Sequence, residues 1–379
     1  MAHQTRPKIC FISSPGHRDY VLAFGRLLAE RADLLLIIED TVCEADIAPI
    51  GAKSVARLNW PRHRDISGNL RHLSQIKAAI DAFNPDVVHL VAEGQVWFAT
   101  LKAWLGRRPL VVTLHDVHAH PGDRDSQIIP RPLINAFVRS ADTIIVHGEG
   151  LKRDAELKIG LAPQRVFASI HPVSWRYREI ADAEGLTRVA DGRLRVLFFG
   201  RIFHYKGLAY LTQADALLGD AVPQRHIVVA GRGDMSPAVA AAATHPKRFD
   251  LRPRRIDDLE TAQVFLDADV LVLPYIEASQ SGVLNIAPSF GLPVVASDIG
   301  EIGDVVRKTG MGLLVPPGNA QALASALAQL LSDAQQRARL GALSAAAAVD
   351  ALSPDRIWAC TEAAYQAAIA RAARHPRRH

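Results

Sequence analysis

The chain has 379 residues, 49% of them hydrophobic and 22% charged, which excludes a disordered chain and suits two cores of roughly 150 to 200 residues each. A net charge of +5 favours anionic partners such as nucleotides or lipid headgroups without choosing among them. Aromatic residues make up only 6% and do not alternate with basic stretches, so a nucleic-acid stacking platform is excluded and no nucleic-acid partner is expected.

From the N-terminus, short apolar runs alternate with longer amphipathic ones. Lys8 to Ser13 predicts a strand, Tyr20 to Arg31 a helix with Asp19 as its N-cap, and Leu34 to Ile38 a strand. Leu73 to Phe83 predicts a helix, Val87 to Val91 a strand and Phe98 to Leu105 a helix, followed by strands at Leu110 to Leu114 and Thr143 to Val146. The stretch from Trp175 to Arg195 is dense in charge and has no sustained apolar period, which reads as a linker. Strands then recur at Val196 to Phe199, His226 to Ala230, Val270 to Pro274 and Val294 to Ala296. Helices are predicted at Leu208 to Leu218, Leu259 to Phe265, Ala320 to Leu331, Ala334 to Ala348 and Pro354 to Arg374. Strands separated by such helices indicate parallel, doubly wound sheets. The expected organisation is an N-terminal domain over 1–175, a linker over 176–194, a C-terminal domain over 195–355, and a helix over 356–374 that packs back on the first domain.

No apolar run reaches the roughly 18 to 20 residues that span a bilayer, and the N-terminus lacks a signal-peptide core, so a cytoplasmic protein is expected. Cys10, Cys43 and Cys360 have neither disulfide nor zinc spacing. The arginines at 371, 374, 377 and 378 suit either a solvated helix end or a patch against an anionic membrane; Arg57, Arg62, Arg64 and Arg71 are open to the same two readings.

The strand ends carry the candidate chemistry. The segment from Pro274 to Ala296 reads as strand, polar turn, helix, strand, and the first N–H groups of that helix, near Ser281, Gly282 and Val283, offer a site for a diphosphate. Glu277 is the one acidic residue in that turn. Arg201 and Lys206 stand five residues apart on an earlier strand-to-helix loop, where they converge on one anion or remain solvated cations. Gly231-Arg232-Gly233 is either a turn that admits a ligand close to the backbone or a plain structural turn, and Gly16 after the first strand leaves the same choice. His115, His118 and His120 follow the strand Leu110 to Leu114. An i, i+2 pair in an extended segment lies roughly 6.5 Å apart on one face, which makes no tetrahedral site, so no metal is expected. His115 is instead a substrate-binding or proton-handling group. His147 lines the same edge or is a satisfied structural histidine.

Gly200-Arg-Ile-Phe-His-Tyr-Lys206-Gly207, Ala268-Asp-Val-Leu-Val-Leu-Pro274 and the stretch from Glu277 through Gly291-Leu-Pro-Val-Val-Ala296 resemble the C-terminal domain of the family 4 retaining glycosyltransferases. Thr113-Leu-His115-Asp116 and Val146-His147-Gly148 are similar to first-domain segments of the same family. The resemblance implies the GT-B fold: α/β, with two Rossmann-like domains whose parallel sheets face across a cleft. It implies a nucleotide-sugar donor, held mainly by the second domain, and a glycan or lipid-linked acceptor held by the first. It further implies metal-independent diphosphate binding by Arg201 and Lys206, donor-sugar contacts from Glu277 and His115, and a base-contacting loop at Arg255-Ile256-Asp257-Asp258. No cofactor is implied. The family pattern often carries a second glutamate five residues before the glycine of the final Gly-x-Pro; here that position is Ile286, so ribose recognition must differ. The alternatives are a non-catalytic nucleotide-sugar-binding protein of the same fold and a nucleotide-sugar epimerase; a nicotinamide dehydrogenase is least favoured, since the first turn lacks GxGxxG.

Overall fold

The computed structural model describes residues 6–91, 97–117 and 131–374. They form two compact units. One comprises the described residues up to 172 together with 354–374, the other residues 173–353.

The first unit holds seven strands: β1 (Lys8–Ser13), β2 (Asp33–Glu39), β3 (Ser54–Leu58), β4 (Val87–Val91), β5 (Leu110–Leu114), β6 (Thr143–His147) and β7 (Val166–Ser169). All pair in parallel, in the order β3-β2-β1-β4-β5-β6-β7. The second unit holds β8 (Leu194–Phe199), β9 (Arg225–Ala230), β10 (Phe249–Arg252), β11 (Val270–Leu273), β12 (Val294–Ser297) and β13 (Gly312–Val315), again all parallel, in the order β10-β9-β8-β11-β12-β13. In each sheet the strand order reverses once, between β1 and β4 and between β8 and β11. A doubly wound sheet opens a crevice for ligands at such a point, beyond the carboxyl ends of the strands.

The central strands match expectation because helices cover both of their faces. All five residues of β4, of β5 and of β6 are buried, so each reads as a continuous apolar run. The four strands absent from the sequence reading are β3, β7, β10 and β13, which are the edges of the two sheets. Edge strands are half exposed, and in β3 no residue is fully buried.

Three further expectations are corrected. The segment 176–194 is not a linker throughout. Arg176–Ala183 is a helix that buries Tyr177 and Ala181, an i, i+4 pair, and Arg176 forms an ion pair with Asp258. Asp19 does not cap the first helix, which runs Arg18–Arg31 with His17 at the cap position and Asp19 already inside the first turn. The segment after Ser281 is a seven-residue 3₁₀ helix, Leu284–Phe290, rather than an α-helix; inside an α-helix the Pro288 ring would clash with the carbonyl four residues back.

The helix Pro354–Arg374 packs on the first unit, where Ile357, Ala364, Tyr365 and Ala368 join the core around Ile9 and Phe11. Its anchor is polar. His89 in β4 holds the Tyr365 hydroxyl at Nδ1 and the Thr113 hydroxyl at Nε2, both at 2.7 Å, and Thr143 donates to the Ala364 carbonyl at 3.0 Å. Burial pushes His89 down to about 3, so the ring is neutral and one nitrogen donates while the other accepts. Tyr365→Phe leaves one buried imidazole nitrogen without its partner and is expected to cost roughly 1–3 kcal/mol of unfolding free energy. Urea denaturation measures this; an unshifted midpoint would show that the anchor contributes nothing.

Candidate functional site

In the second unit three loops meet at the carboxyl ends of β8, β9 and β11. The loop after β8 carries Gly200, Arg201 and Lys206, the loop after β9 carries Arg232, and the loop after β11 runs from Pro274 to Val283. They are joined backbone to backbone. Ile202 N–H donates to the Arg232 carbonyl at 2.8 Å, Asp234 N–H to the Ile202 carbonyl at 3.2 Å, and Ile276 N–H to the Tyr205 carbonyl at 2.8 Å. Two glycines make the approach possible. A Cβ on Gly207 (φ 74°) would lie 1.9 Å from the Pro274 carbonyl oxygen, and one on Gly231 (φ 146°) would lie 1.8 Å from the Gly200 carbonyl oxygen. The Gly231-Arg232-Gly233 turn therefore serves the packing of one loop on another, the structural reading of its two glycines, while the Arg232 side chain points into solvent.

Lys206 is held at the centre of this group. Its ammonium donates to the Tyr275 hydroxyl at 3.1 Å and lies 4.9 Å from the centroid of that ring. The Tyr275 hydroxyl is in turn 3.3 Å from Ser281 Oγ. A Cβ on Gly200 would lie 3.7 Å from Lys206 Nζ and 3.3 Å from Val283 Cγ2, so the glycine leaves open the space in front of the ammonium. Among the described residues no carboxylate pairs with Lys206 or Arg201, and the backbone N–H groups of Ser281, Gly282 and Val283 donate to nothing. Arg201 is exposed and stacks its guanidinium 5.4 Å from the Phe203 ring centroid.

Glu277 is exposed in the same loop, two residues beyond Tyr275. Ile256 is half-buried in the turn after β10, just ahead of the helix Asp258–Asp267, whose N-cap Asp257 accepts from Glu260 N–H at 2.8 Å. Ile286 is buried in the 3₁₀ turn and packs in the core. Tyr275, which positions Lys206, carries no polar neighbour in sequence that would single it out.

In the first unit the carboxyl edge of the sheet gathers four imidazoles around one phenol. His17 stacks flat on His115, with centroids 4.6 Å and planes 5° apart. Tyr20 stands edge-on to His115 at 4.5 Å, to His147 at 5.2 Å and to His171 at 5.1 Å. His147 lies 5.0 Å from His115 and 5.1 Å from His171. The residues come from the loop after β1, the ends of β5 and β6, and the segment after β7, so only the sheet order brings them together. Gly16 sits in the turn that delivers His17. His118 and His120 lie outside the described residues. No three His, Cys, Asp or Glu side chains among the described residues are placed to hold a metal ion.

The description "Glycosyl transferases group 1" matches residues 193–333, and "Glycosyltransferase Family 4" matches residues 16–168. Together they span more than three quarters of the chain. It belongs to the group 1 glycosyltransferases. Its relatives include the 2-deoxystreptamine glucosyltransferase of Streptomyces kanamyceticus, 29% identical over 270 residues, covering 65% of this chain and 68% of that one. The D-inositol 3-phosphate glycosyltransferase of Corynebacterium aurimucosum is 28% identical over 284 residues, 68% of this chain and 66% of that one. The chain thus spans about two thirds of the length of these relatives. The crystal structure of Anabaena Alr3699/HepE in complex with UDP-glucose superposes with a TM-score of 0.69 at 18% identity, over 94% of this chain and 98% of that one, which establishes the GT-B fold.

For a group 1 glycosyltransferase the histidine cluster has a distinct chemistry. Burial, and then the neighbouring imidazoles, push His115 and His147 well below their ordinary values, and burial pushes His171 down to about 4. His171 Nδ1–H donates to the Pro172 carbonyl at 3.0 Å, which fixes its tautomer. His147 is not a satisfied structural histidine: neither ring nitrogen has a hydrogen-bond partner among the described residues. The folded cluster therefore binds fewer protons than the unfolded chain below about pH 6.5. Its contribution to stability is complete above that value and is lost as the pH falls towards about 4. The His171 shift alone corresponds to roughly 3 kcal/mol. Unfolding free energy measured between pH 7.5 and pH 4.5 should fall steeply, and His171→Asn should flatten the dependence; a slope unaffected by that substitution would assign the acid sensitivity elsewhere.

Proposed function

We propose that the protein moves a sugar from a nucleoside-diphosphate sugar to an acceptor hydroxyl, with retention at the anomeric carbon and without a metal ion. The observation that carries this reading is Lys206, fixed by Tyr275 beside three unpartnered backbone N–H groups, with no carboxylate paired to it among the described residues. A cation and amide dipoles held in advance stabilise an anion that develops in the transition state without reorganising to meet it.

In the proposed reaction the bond between the anomeric carbon and the diphosphate oxygen breaks, and the acceptor oxygen bonds to that carbon on the same face. The acceptor's proton passes to the departing diphosphate, which leaves as the nucleoside diphosphate. Arg201 grips the diphosphate with two N–H groups, and Lys206 and the N–H groups of Ser281, Gly282 and Val283 complete its surround. Glu277 accepts hydrogen bonds from donor sugar hydroxyls, Ile256 lies against the base, and His115, a neutral imidazole, orients the sugar or the acceptor. Ile286 accepts no hydrogen bond, so the ribose hydroxyls are met by other groups.

The names of the relatives and the UDP-glucose complex of the Anabaena protein make UDP-glucose the first donor to test and a polyol, glycan or lipid-linked hydroxyl the class of acceptor. Glycan, polysaccharide or glycolipid synthesis is the corresponding setting, and no described helix is long and apolar enough to cross a membrane.

A panel of UDP, GDP and ADP sugars, monitored by release of nucleoside diphosphate in the presence of 2-deoxystreptamine, inositol phosphate or lipid extract, tests the assignment. Arg201→Ala and Lys206→Ala should each lower turnover by about two orders of magnitude. Wild-type turnover in either variant would exclude that residue from the leaving-group site. Donor binding with no turnover across all acceptors would favour the non-catalytic reading that Ile286 motivates.

A further inference from the structure

At the opposite, amino edge of the first unit's sheet lies a cavity of about 230 Å³ whose lining includes Lys102, Arg107, Arg139, Asp142 and Arg371. It is separate from the histidine cluster. Leu110, whose N–H donates to the lining residue Asp142, and His115 are the first and next-after-last positions of β5, so roughly 17 Å of strand lies between them.

The charge in this cavity is not balanced. Asp142 is its one acid, and it is already engaged by the buried Lys102 ammonium and by Leu110 N–H at 2.8 Å. Arg139 is fixed through Nε, which donates to the Ile159 carbonyl at 2.7 Å, leaving the outer edge of its guanidinium clear. Among the described residues no carboxylate pairs with Arg107, Arg139 or Arg371. Four cations against one acid leave a formal excess of three positive charges. Arg165, whose guanidinium donates to the Arg139 carbonyl at 2.8 Å, has its pKa lowered by burial and then by Arg371. Crowded cations that are neither paired nor dispersed destabilise the fold unless an anion joins them.

We propose that this cavity binds a phosphate monoester. A doubly charged phosphoryl group offers three oxygens, enough to accept from two guanidinium groups while a third faces the Lys102 side, and guanidinium forks suit it better than they suit a monovalent ion. The volume exceeds that of inorganic phosphate and accommodates a small polyol on the ester oxygen. The ester is either a soluble metabolite or the exposed headgroup of a lipid such as phosphatidic acid.

The experiment uses the full chain carrying Arg201→Ala and Lys206→Ala, so that phosphate binding at the donor loops is suppressed. Inorganic phosphate and glycerol 3-phosphate are titrated calorimetrically, and vesicles of phosphatidylcholine with and without phosphatidic acid are tested by co-sedimentation. Saturable binding at one site per chain is expected, weakened at least tenfold by Arg107→Ala with Arg371→Ala, two residues whose side chains donate no hydrogen bond among the described residues. Arg139→Lys, which keeps the charge but not the fork, should weaken it less. Soluble esters that bind while vesicles do not would identify a metabolite site, and phosphatidic acid vesicles retained only by the intact cavity would identify a headgroup site. Binding that is absent in both arms, or undiminished in the double arginine variant, overturns the proposal.

Discussion

The second unit of this molecule depends on backbone lying directly on backbone. Where the loop after β8 passes the end of β11, the space for a Cβ on Gly207 is taken by the Pro274 carbonyl, 1.9 Å from where that carbon would be. Any side chain at this position would push the two loops apart, and at φ 74° it would also strain its own backbone. Contact between the loops brings Tyr275 to Lys206, and Tyr275 in turn reaches Ser281. The loop cluster is thus built in sequence: glycine sets the distance, the tyrosine sets the lysine, and the same tyrosine hydroxyl reaches Ser281.

The first unit solves the opposite problem, holding titratable rings where charge is unwelcome. The three imidazoles packed around Tyr20, those of His115, His147 and His171, are tolerated because burial favours their neutral form, so they behave as aromatic rings with polar edges, and His17 stacks on His115 beside them. His171 has its tautomer fixed by the Pro172 carbonyl, and His147 has two nitrogens unmet among the described residues. A buried polar atom without a partner carries a desolvation cost, and such atoms concentrate where a site is shaped for something other than stability. The placement of this cluster at the carboxyl ends of β5 and β6 is where a doubly wound sheet presents its ligand contacts.

How much of this was legible in the sequence follows from burial. The interior strands announce themselves because both faces are covered, whereas β3, β7, β10 and β13 expose one side and merge into the surrounding polar text. The cations Arg201 and Lys206 were readable because strand-to-helix loops place them at one edge. Tyr275 was not, because its tie to Lys206 reaches a residue 69 positions earlier. The histidines were half legible: His115 stood at a strand end, but His17 and His171 join it only through the order of β1, β5, β6 and β7 in the sheet. The 3₁₀ turn after Val283 contains Pro288, whose ring is disfavoured inside an α-helix.

The distribution of partners among the chain's cations separates neutralised positive charge from positive charge left uncompensated. Arg225 is fully buried and shares Asp215 with Arg248, at 2.6 and 3.2 Å, and Arg252 and Arg254 share Glu260. Arg57, open in sequence to either a membrane-facing patch or a solvated surface, is spent on the Asp40 and Val42 carbonyls. These groups are neutralised or capped inside the fold and have little field left to offer. By contrast Arg201 and Lys206 in one unit, and Arg107 and Arg371 in the other, have no carboxylate among the described residues, although the chain carries 39 acidic residues against 44 basic ones. With acids nearly as numerous as bases, a cation left without one in a concave site holds a field that water alone answers poorly, and an incoming phosphate answers it well. The excess of +5 is therefore less informative than where the fold leaves it uncompensated.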